Sequence, residues 1–353
     1  MMKKLFRRTS IGQLICGFIG AALLSTGVAA NAQLLQVATA FPETDFSSQI
    51  LKRWMDGVTQ KTDGRIKFRA HWAGSLVGNK MLDGMNDGVV DVALSFTPYV
   101  SGEIIDLAPL DVPFSFPLDP KGLASFNKEA LSILDAIYEK RGSRVVSAPP
   151  VLLPDPVTCS KGFVSDADKW QGVKIRTAGR WQAETIKRWG GSPVVLAASD
   201  LYTGLKLGTI DCTLMVYNGV LSLKLYEPAK YVTRVDHSIA FGTINVANTT
   251  WKKLSDADRK IMLDVGQEAM DWGIAEYAKT YVNTMDKLVA AGAEMCVPKK
   301  AEFDRLVAAA NDVFKVEIEP NVTPDGKKLI DLINRYRDQV VVLPTAGPLK
   351  ECP

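Results

Sequence analysis

The chain has 353 residues, 42 lysines and arginines against 39 aspartates and glutamates, and 47% hydrophobic residues, a globular composition long enough for two domains. Four of the basic residues, Lys3, Lys4, Arg7 and Arg8, open the sequence with no acid beside them, which leaves 38 basic against 39 acidic residues in the remainder. A body this close to neutral excludes the electrostatic footprint of a nucleic-acid-binding protein.

The basic start is followed by an apolar run from about Ile11 to Leu24 and by Ala30-Asn31-Ala32 before Gln33. A charged segment, a hydrophobic stretch short for a membrane span and a small-residue cleavage site predict a secretory leader removed near Ala32, and hence a periplasmic protein. Cys16 falls within the leader, so Cys159, Cys212, Cys296 and Cys352 remain. In an oxidising compartment four cysteines permit two disulfides in any of three pairings, and a chain of this length can equally bury free thiols. With His71 and His237 as its only histidines and no zinc-type spacing, the sequence predicts no metal or other cofactor.

Along the chain, strand patterns alternate with helical ones. Leu34–Ala40, Arg65–Trp72 and Val89–Ser95 read as strands, separated by helices over about Asp45–Thr62 and Val77–Asn86. Alternation of this kind predicts parallel pairing with helices on both faces of a sheet, an α/β fold. A helix over Lys121–Lys140 precedes an extended stretch, Arg144–Ser160, that holds Pro149, Pro150, Pro154 and Pro156. Prolines remove ladder donors, so this stretch is expected to cross between lobes as a hinge strand.

The alternation then resumes with strands at Val173–Thr177, Pro193–Leu196 and Ile210–Val216 and helices at Trp181–Trp189 and Ser199–Leu207. Ser255-Asp256-Ala257-Asp258 resembles a capping box opening a helix that runs to Gly292. At 1.5 Å per residue that helix reaches about 50 Å, enough to brace two lobes. The expected division is lobe I from 33–153 plus about 242–281, and lobe II from 154–241 plus about 282–353.

No nucleophile elbow, Walker A loop, dinucleotide-binding glycine fingerprint or H-E-x-x-H motif occurs. A binder is therefore expected rather than an enzyme, its ligand lodged between lobes at strand C-termini. Arg176 ends the run Gly172-Val173-Lys174-Ile175-Arg176. A guanidinium at a strand end offers a rigid, permanently charged fork of donors suited to a carboxylate.

Five segments, in order, carry a family resemblance: Lys61–Ile66 with Ala73–Gly78, Asp111–Phe116, Gly172–Thr177, Gly191–Leu196 and Asp200–Asp211. Together they resemble the solute-binding subunits of tripartite ATP-independent periplasmic (TRAP) transporters, the dicarboxylate-binding-protein family. The resemblance implies a two-lobed periplasmic binding fold that closes on a small organic anion and hands it to the TRAP membrane permease. It also places Arg176 where the family keeps its carboxylate-binding arginine.

The departures from the family pattern shape the expected ligand. The place of a second carboxylate-directed arginine is taken by Pro156, that of a binding amide by Met215, and that of an aromatic residue in the second lobe by Ala198. Where sialic-acid binders of the family carry a glutamate and an arginine, Phe96 and Tyr99 stand here. Phe41 is a further wall candidate, and Asn79, Tyr217 and Asn218 are candidate polar contacts. One charge clamp among apolar walls predicts a monocarboxylate with an apolar or aromatic body, bound by a monomer. Two other readings stand beside this one: a binding protein that serves a sensor, and a secreted hydrolase that uses Asp211 or Ser95.

Overall fold

The computed structural model describes residues 32–111, 120–236, 241–337 and 350–353. The leader, residues Val112–Phe116 of the second resemblance segment, and His237 lie outside the described residues. The strands in chain order are β1 (Gln33–Ala38), β2 (Ile66–His71), β3 (Val92–Phe96), β4 (Ser143–Ser147), β5 (Val157–Cys159) and β6 (Lys174–Thr177). They continue with β7 (Ser192–Val195), β8 (Cys212–Leu214), β9 (Tyr231–Thr233), β10 (Gly242–Ala247) and β11 (Glu294–Cys296). They form two sheets, one ordered β2-β1-β3-β10-β4 and the other β11-β9-β5-β8-β6-β7.

Strands joined through a helix pair in parallel, as the alternation predicts: β1 with β2 and β3, and β6 with β7 and β8. The antiparallel members are β10, set between β3 and β4, and β5, set between β8 and β9. Each follows in sequence a strand of the other sheet, β9 and β4 respectively, rather than a helix of its own sheet. The proline-rich stretch divides as its composition requires, with β4 before it, β5 after it and residues 148–156 extended between the two sheets.

Local chemistry sets the helix starts. Asp45 caps the Phe46–Lys61 helix by accepting from the Ser47 amide at 2.9 Å, and Ser255 caps the Asp256–Ala290 helix by accepting from the Asp258 amide at 3.1 Å. The helix expected over Val77–Asn86 begins only at Met81. Gly74 and Gly78, at φ of +70° and +60°, hold the preceding residues in a turn that helical backbone cannot adopt.

The 35-residue Asp256–Ala290 helix serves both lobes. Near its start it packs on the first sheet, where the Trp54 indole donates to the Met262 carbonyl at 3.1 Å and Ser147 Oγ to the Gly266 carbonyl at 2.7 Å. Gly266 permits this approach, since a Cβ there would lie 2.0 Å from the Val146 carbonyl oxygen. Farther along, Tyr281 accepts from Arg234, just beyond β9, at 2.7 Å. The Pro324–Arg337 helix returns to the first lobe, where Tyr336 stacks edge-on against Phe126 and donates to Glu129.

Both disulfides form. Cys159–Cys212 ties β5 to β8 at directly opposed positions, and Cys296–Cys352 ties β11 to the C-terminal residues. Pairing is a tertiary fact, which is why the cysteine count left three alternatives open.

Candidate ligand-binding site

The Arg176 side chain is buried between the lobes, at 1% exposure. It lies on β6 with β7 on one side and β8 on the other, opposite Val194 and Thr213. Its guanidinium is held from both flanks. Nε donates to the Leu196 carbonyl at 2.9 Å and Nη1 to the Leu214 carbonyl at 3.1 Å. Nη2 is buried with no hydrogen-bond partner, and among the described residues no carboxylate forms a salt bridge with this arginine. A buried cation satisfied only by carbonyl dipoles is electrostatically incomplete, because desolvating an ion costs several kcal/mol that a full counter-charge offsets.

The guanidinium opens on a small cavity of about 20 Å³ lined from both lobes. Phe41 follows β1, Phe96 ends β3, and Pro98 and Tyr99 lie in the helical turn after it; Arg176 lies on β6 with Ala178 just beyond its end, and Leu214 ends β8 with Met215 and Val216 just beyond. The crossing segment supplies Leu152 and Asp155, and the Arg180–Trp189 helix supplies Gln182. The aromatic wall is a chain of edge-to-face contacts, Phe41 to Phe96 at 5.1 Å and Phe96 to Tyr99 at 6.0 Å between ring centres. This volume holds no more than about one water, so the lobes are closed on each other.

Around the cavity the lobes touch directly. The Trp181 indole donates to the Ser101 carbonyl at 2.9 Å, and Gly179 fits against the Pro98 carbonyl so closely that a Cβ would lie 1.9 Å from its oxygen. Beside the inner cavity a hollow of about 280 Å³ is shared by Asn79, Lys80, Asp83, Tyr99 and Glu103 on one side and Ala178 and residues 195–197 on the other. A larger hollow of about 430 Å³ lies elsewhere, between the Phe46–Lys61 and Asp256–Ala290 helices. Its Lys52 and Lys61 already pair with Asp56 and Glu268 and its Arg53 is exposed over the Trp272 ring, so it lacks a buried unmatched charge like the one in the cleft.

The expected site residues divide accordingly. Arg176, Phe41, Phe96, Tyr99 and Met215 share the inner cavity, and Asn79 lines the outer hollow. Ala198 is buried in the turn after β7, outside the cavity lining. Tyr217 donates to Asp236 at 2.6 Å and accepts from Arg234 at 3.1 Å, in a buried cluster behind the cavity. Burial first, then the Asp236 charge, raises its hydroxyl pKa well above the ordinary value. Asn218 bridges the lobes, accepting from the Leu153 amide at 3.0 Å and donating to Asp45 at 2.9 Å. Asp211 accepts from Lys161 and from the Lys174 amide, a partnership that holds its pKa below the usual carboxylate range against the opposing effect of burial.

Sequence reasoning missed Gln182 and Asp155, both 2% exposed. Gln182 sits beside Trp181 on the buried face of an amphipathic helix, where it reads as core, and Asp155 is hidden between two prolines whose pattern signals only a crossing strand.

Two α/β lobes joined by crossing segments, braced by one long helix and closed over a buried guanidinium, define a two-lobed periplasmic ligand-binding protein. The chain belongs to the bacterial extracellular solute-binding protein family 7, whose model matches residues 37–319, and its relatives are TRAP periplasmic solute-binding proteins. It is 25% identical over 323 residues to the 2,3-diketo-L-gulonate-binding periplasmic protein YiaO of Escherichia coli, covering 90% of this chain and 96% of that one. The ectoine-binding periplasmic protein TeaA of Halomonas elongata is 24% identical over 331 residues, 90% and 93% of the two chains. Among solved structures, a TRAP solute-binding protein from Desulfovibrio salexigens with bound orotic acid superposes with a TM-score of 0.78 at 19% identity, over 87% of this chain and 99% of that one. One from Sulfitobacter sp. NAS-14.1 with bound β-D-galacturonate gives 0.76 at 18% identity, over 87% and 100%.

Proposed function

We propose that this protein, as a periplasmic monomer freed of its leader near Ala32, captures a monocarboxylate with an apolar or aromatic body and delivers it to a TRAP membrane permease. The observation that carries the reading is the Arg176 guanidinium, pinned at Nε and Nη1 by two carbonyls with its buried Nη2 left without a partner. An incoming carboxylate supplies both the missing acceptor and the missing charge. Phe41, Phe96, Tyr99 and Met215 favour the rest of the ligand being apolar. Burying such a body contributes about 25 cal/mol per Å², whereas each sugar hydroxyl left unpaired against these walls costs about 1–3 kcal/mol.

The acids bound by the structural neighbours are a precedent for a carboxylate, and orotic acid among them is a flat monocarboxylate. A thermal-shift screen over aromatic, aliphatic, keto and sugar acids tests the reading, because a ligand of the folded state raises its melting temperature by mass action. Aromatic and apolar monocarboxylates are expected to stabilise the protein, and galacturonate is not. Stabilisation by galacturonate above that of every apolar acid would overturn the assignment of the ligand body.

A further inference from the structure

A cross-lobe contact also lies away from the ligand cavity. Trp181, in the first turn of the Arg180–Trp189 helix, is 2% exposed, yet it is not among the residues that line the cavity. Its indole Nε1 reaches the first lobe instead, donating to the Ser101 carbonyl at 2.9 Å. Ser101 follows the helical turn Thr97–Val100, which carries Pro98 and Tyr99 of the cavity wall, and its Oγ donates to the buried Asp111 at 2.5 Å. The acceptor is thus fastened into the first lobe and the donor into the second.

The ring is enclosed as well as bonded. It shares a small apolar cluster, separate from the larger cores, with Ile105 and Ala108 of the first lobe and with Val313, Phe314 and Ile318. Val313 ends the Lys300–Val313 helix, which packs on the Arg180–Trp189 helix, where Trp189 donates to the Leu306 carbonyl at 3.0 Å. Ile105 and Ala108 stand on the Ile105–Asp111 helical segment just beyond Ser101. The Arg180 guanidinium carbon lies 4.7 Å from the centre of the Trp181 ring. Separating the lobes takes away the indole's acceptor and its first-lobe wall together, and exposing so large an apolar surface is unfavourable.

We propose that Trp181 is a positioning residue for ligand retention: it docks into the first lobe when the lobes close, and so sets the closed population without touching the ligand. The proposal rests on the reading that the cleft binds an organic acid. Where the open form predominates before binding, apparent affinity falls in proportion to the population of the binding-competent closed form. Release from a closed cleft requires opening, so the loss appears chiefly in the dissociation rate. A residue of the cavity wall changes which acid is preferred. Trp181, acting through closure, changes the binding of every acid by one common factor.

The test is calorimetry and stopped-flow fluorescence on the mature protein with orotate and benzoate as probes, comparing the wild type, Trp181→Phe and Ile105→Ala. Trp181→Phe keeps an apolar ring but loses the donor, and is expected to weaken both acids about tenfold, mostly through faster dissociation, with their affinity ratio unchanged. Ile105→Ala loosens the same cluster from the other lobe and should act in the same direction, which keeps the proposal testable if the tryptophan variant does not fold. The difference between wild-type and Trp181→Phe emission isolates this indole among the seven tryptophans and should shift to the blue on ligand addition. Affinity and dissociation rate within twofold of wild type in both variants would overturn the proposal. So would a changed orotate-to-benzoate ratio in Trp181→Phe, which would make Trp181 a ligand contact. Failure of both acids to bind the wild type would instead remove the binding reading on which the proposal stands.

Discussion

Gly179 and Pro98 meet across the cleft with no room between them: a Cβ on the glycine would stand 1.9 Å from the proline carbonyl oxygen. Gly179 follows β6 and Pro98 follows β3, so this contact exists only while the lobes are closed. The glycine backbone is extended, at φ −161°, which any residue adopts without strain. Gly179→Ala is therefore expected to weaken ligand binding about tenfold or more by obstructing closure while leaving the unliganded melting temperature nearly unchanged, since overpacking costs about 1–3 kcal/mol and falls on the closed form. Calorimetry and a thermal melt on the same sample check both halves.

Asp45 and Asn218 form the buried polar contact on the hinge side. Asp45 accepts from Ser47, from Asn218 Nδ2 and, at 2.7 Å, from Ser222 Oγ, and Asn218 in turn accepts from the Leu153 amide. Removing the amide strands the buried Leu153 N–H and takes one of several donors from Asp45. Asn218→Ala is expected to lower unfolding stability by about 1–3 kcal/mol, measured by chemical denaturation, the cost of one orphaned buried group. A loss of affinity with unchanged stability would instead mark Asn218 as a ligand contact.

Asp111 gives the fold a pH dependence. It is 2% exposed, accepts from Ser101 Oγ at 2.5 Å through one oxygen and has no hydrogen-bond partner for the other. Burial pushes its pKa up to about 7, against the opposing effect of the Ser101 bond. A raised folded-state pKa means that its contribution is fully present below the unfolded value near 3.9 and is lost as pH rises through about 7. Between pH 5 and pH 8 the wild type should lose on the order of 2–3 kcal/mol relative to Asp111→Asn, which cannot ionise. Denaturant titrations of both proteins at the two pH values provide the comparison.

The disulfide Cys159–Cys212 closes a loop with a sequence separation of 53 and lies on the strand whose Leu214 carbonyl anchors Arg176. Replacing both cysteines by alanine is expected to cost about 2–4 kcal/mol of stability, as a cross-link of this span constrains the unfolded chain. Chemical denaturation measures the loss, and weakened acid binding should accompany it.

What the sequence made legible followed from regular chemistry. Period and capping located the helices at Asp45 and Ser255, prolines marked the crossing segment, and a guanidinium at the end of a strand pointed to an anion site. Strands of three residues, such as β9 and β11, carry too few positions to show a period. Gln182 and Asp155 were hidden for another reason: a polar residue on a buried helix face or between prolines acquires its role only from what the other lobe brings to it. Asn218 illustrates the converse, a polar residue adjacent to the site by sequence whose side chain is committed to Asp45.

The measurement that bears most directly on the carboxylate clamp is calorimetric titration of the wild type, Arg176→Ala and Arg176→Lys with the tightest acid found in the screen. Arg176→Ala is expected to lose about 2–5 kcal/mol of binding, the range for removing one partner of a buried charged pair. Arg176→Lys should recover little of it, because an ammonium cannot hold the Leu196 and Leu214 carbonyls and the ligand in one plane. Undiminished affinity in the folded alanine variant would contradict the clamp.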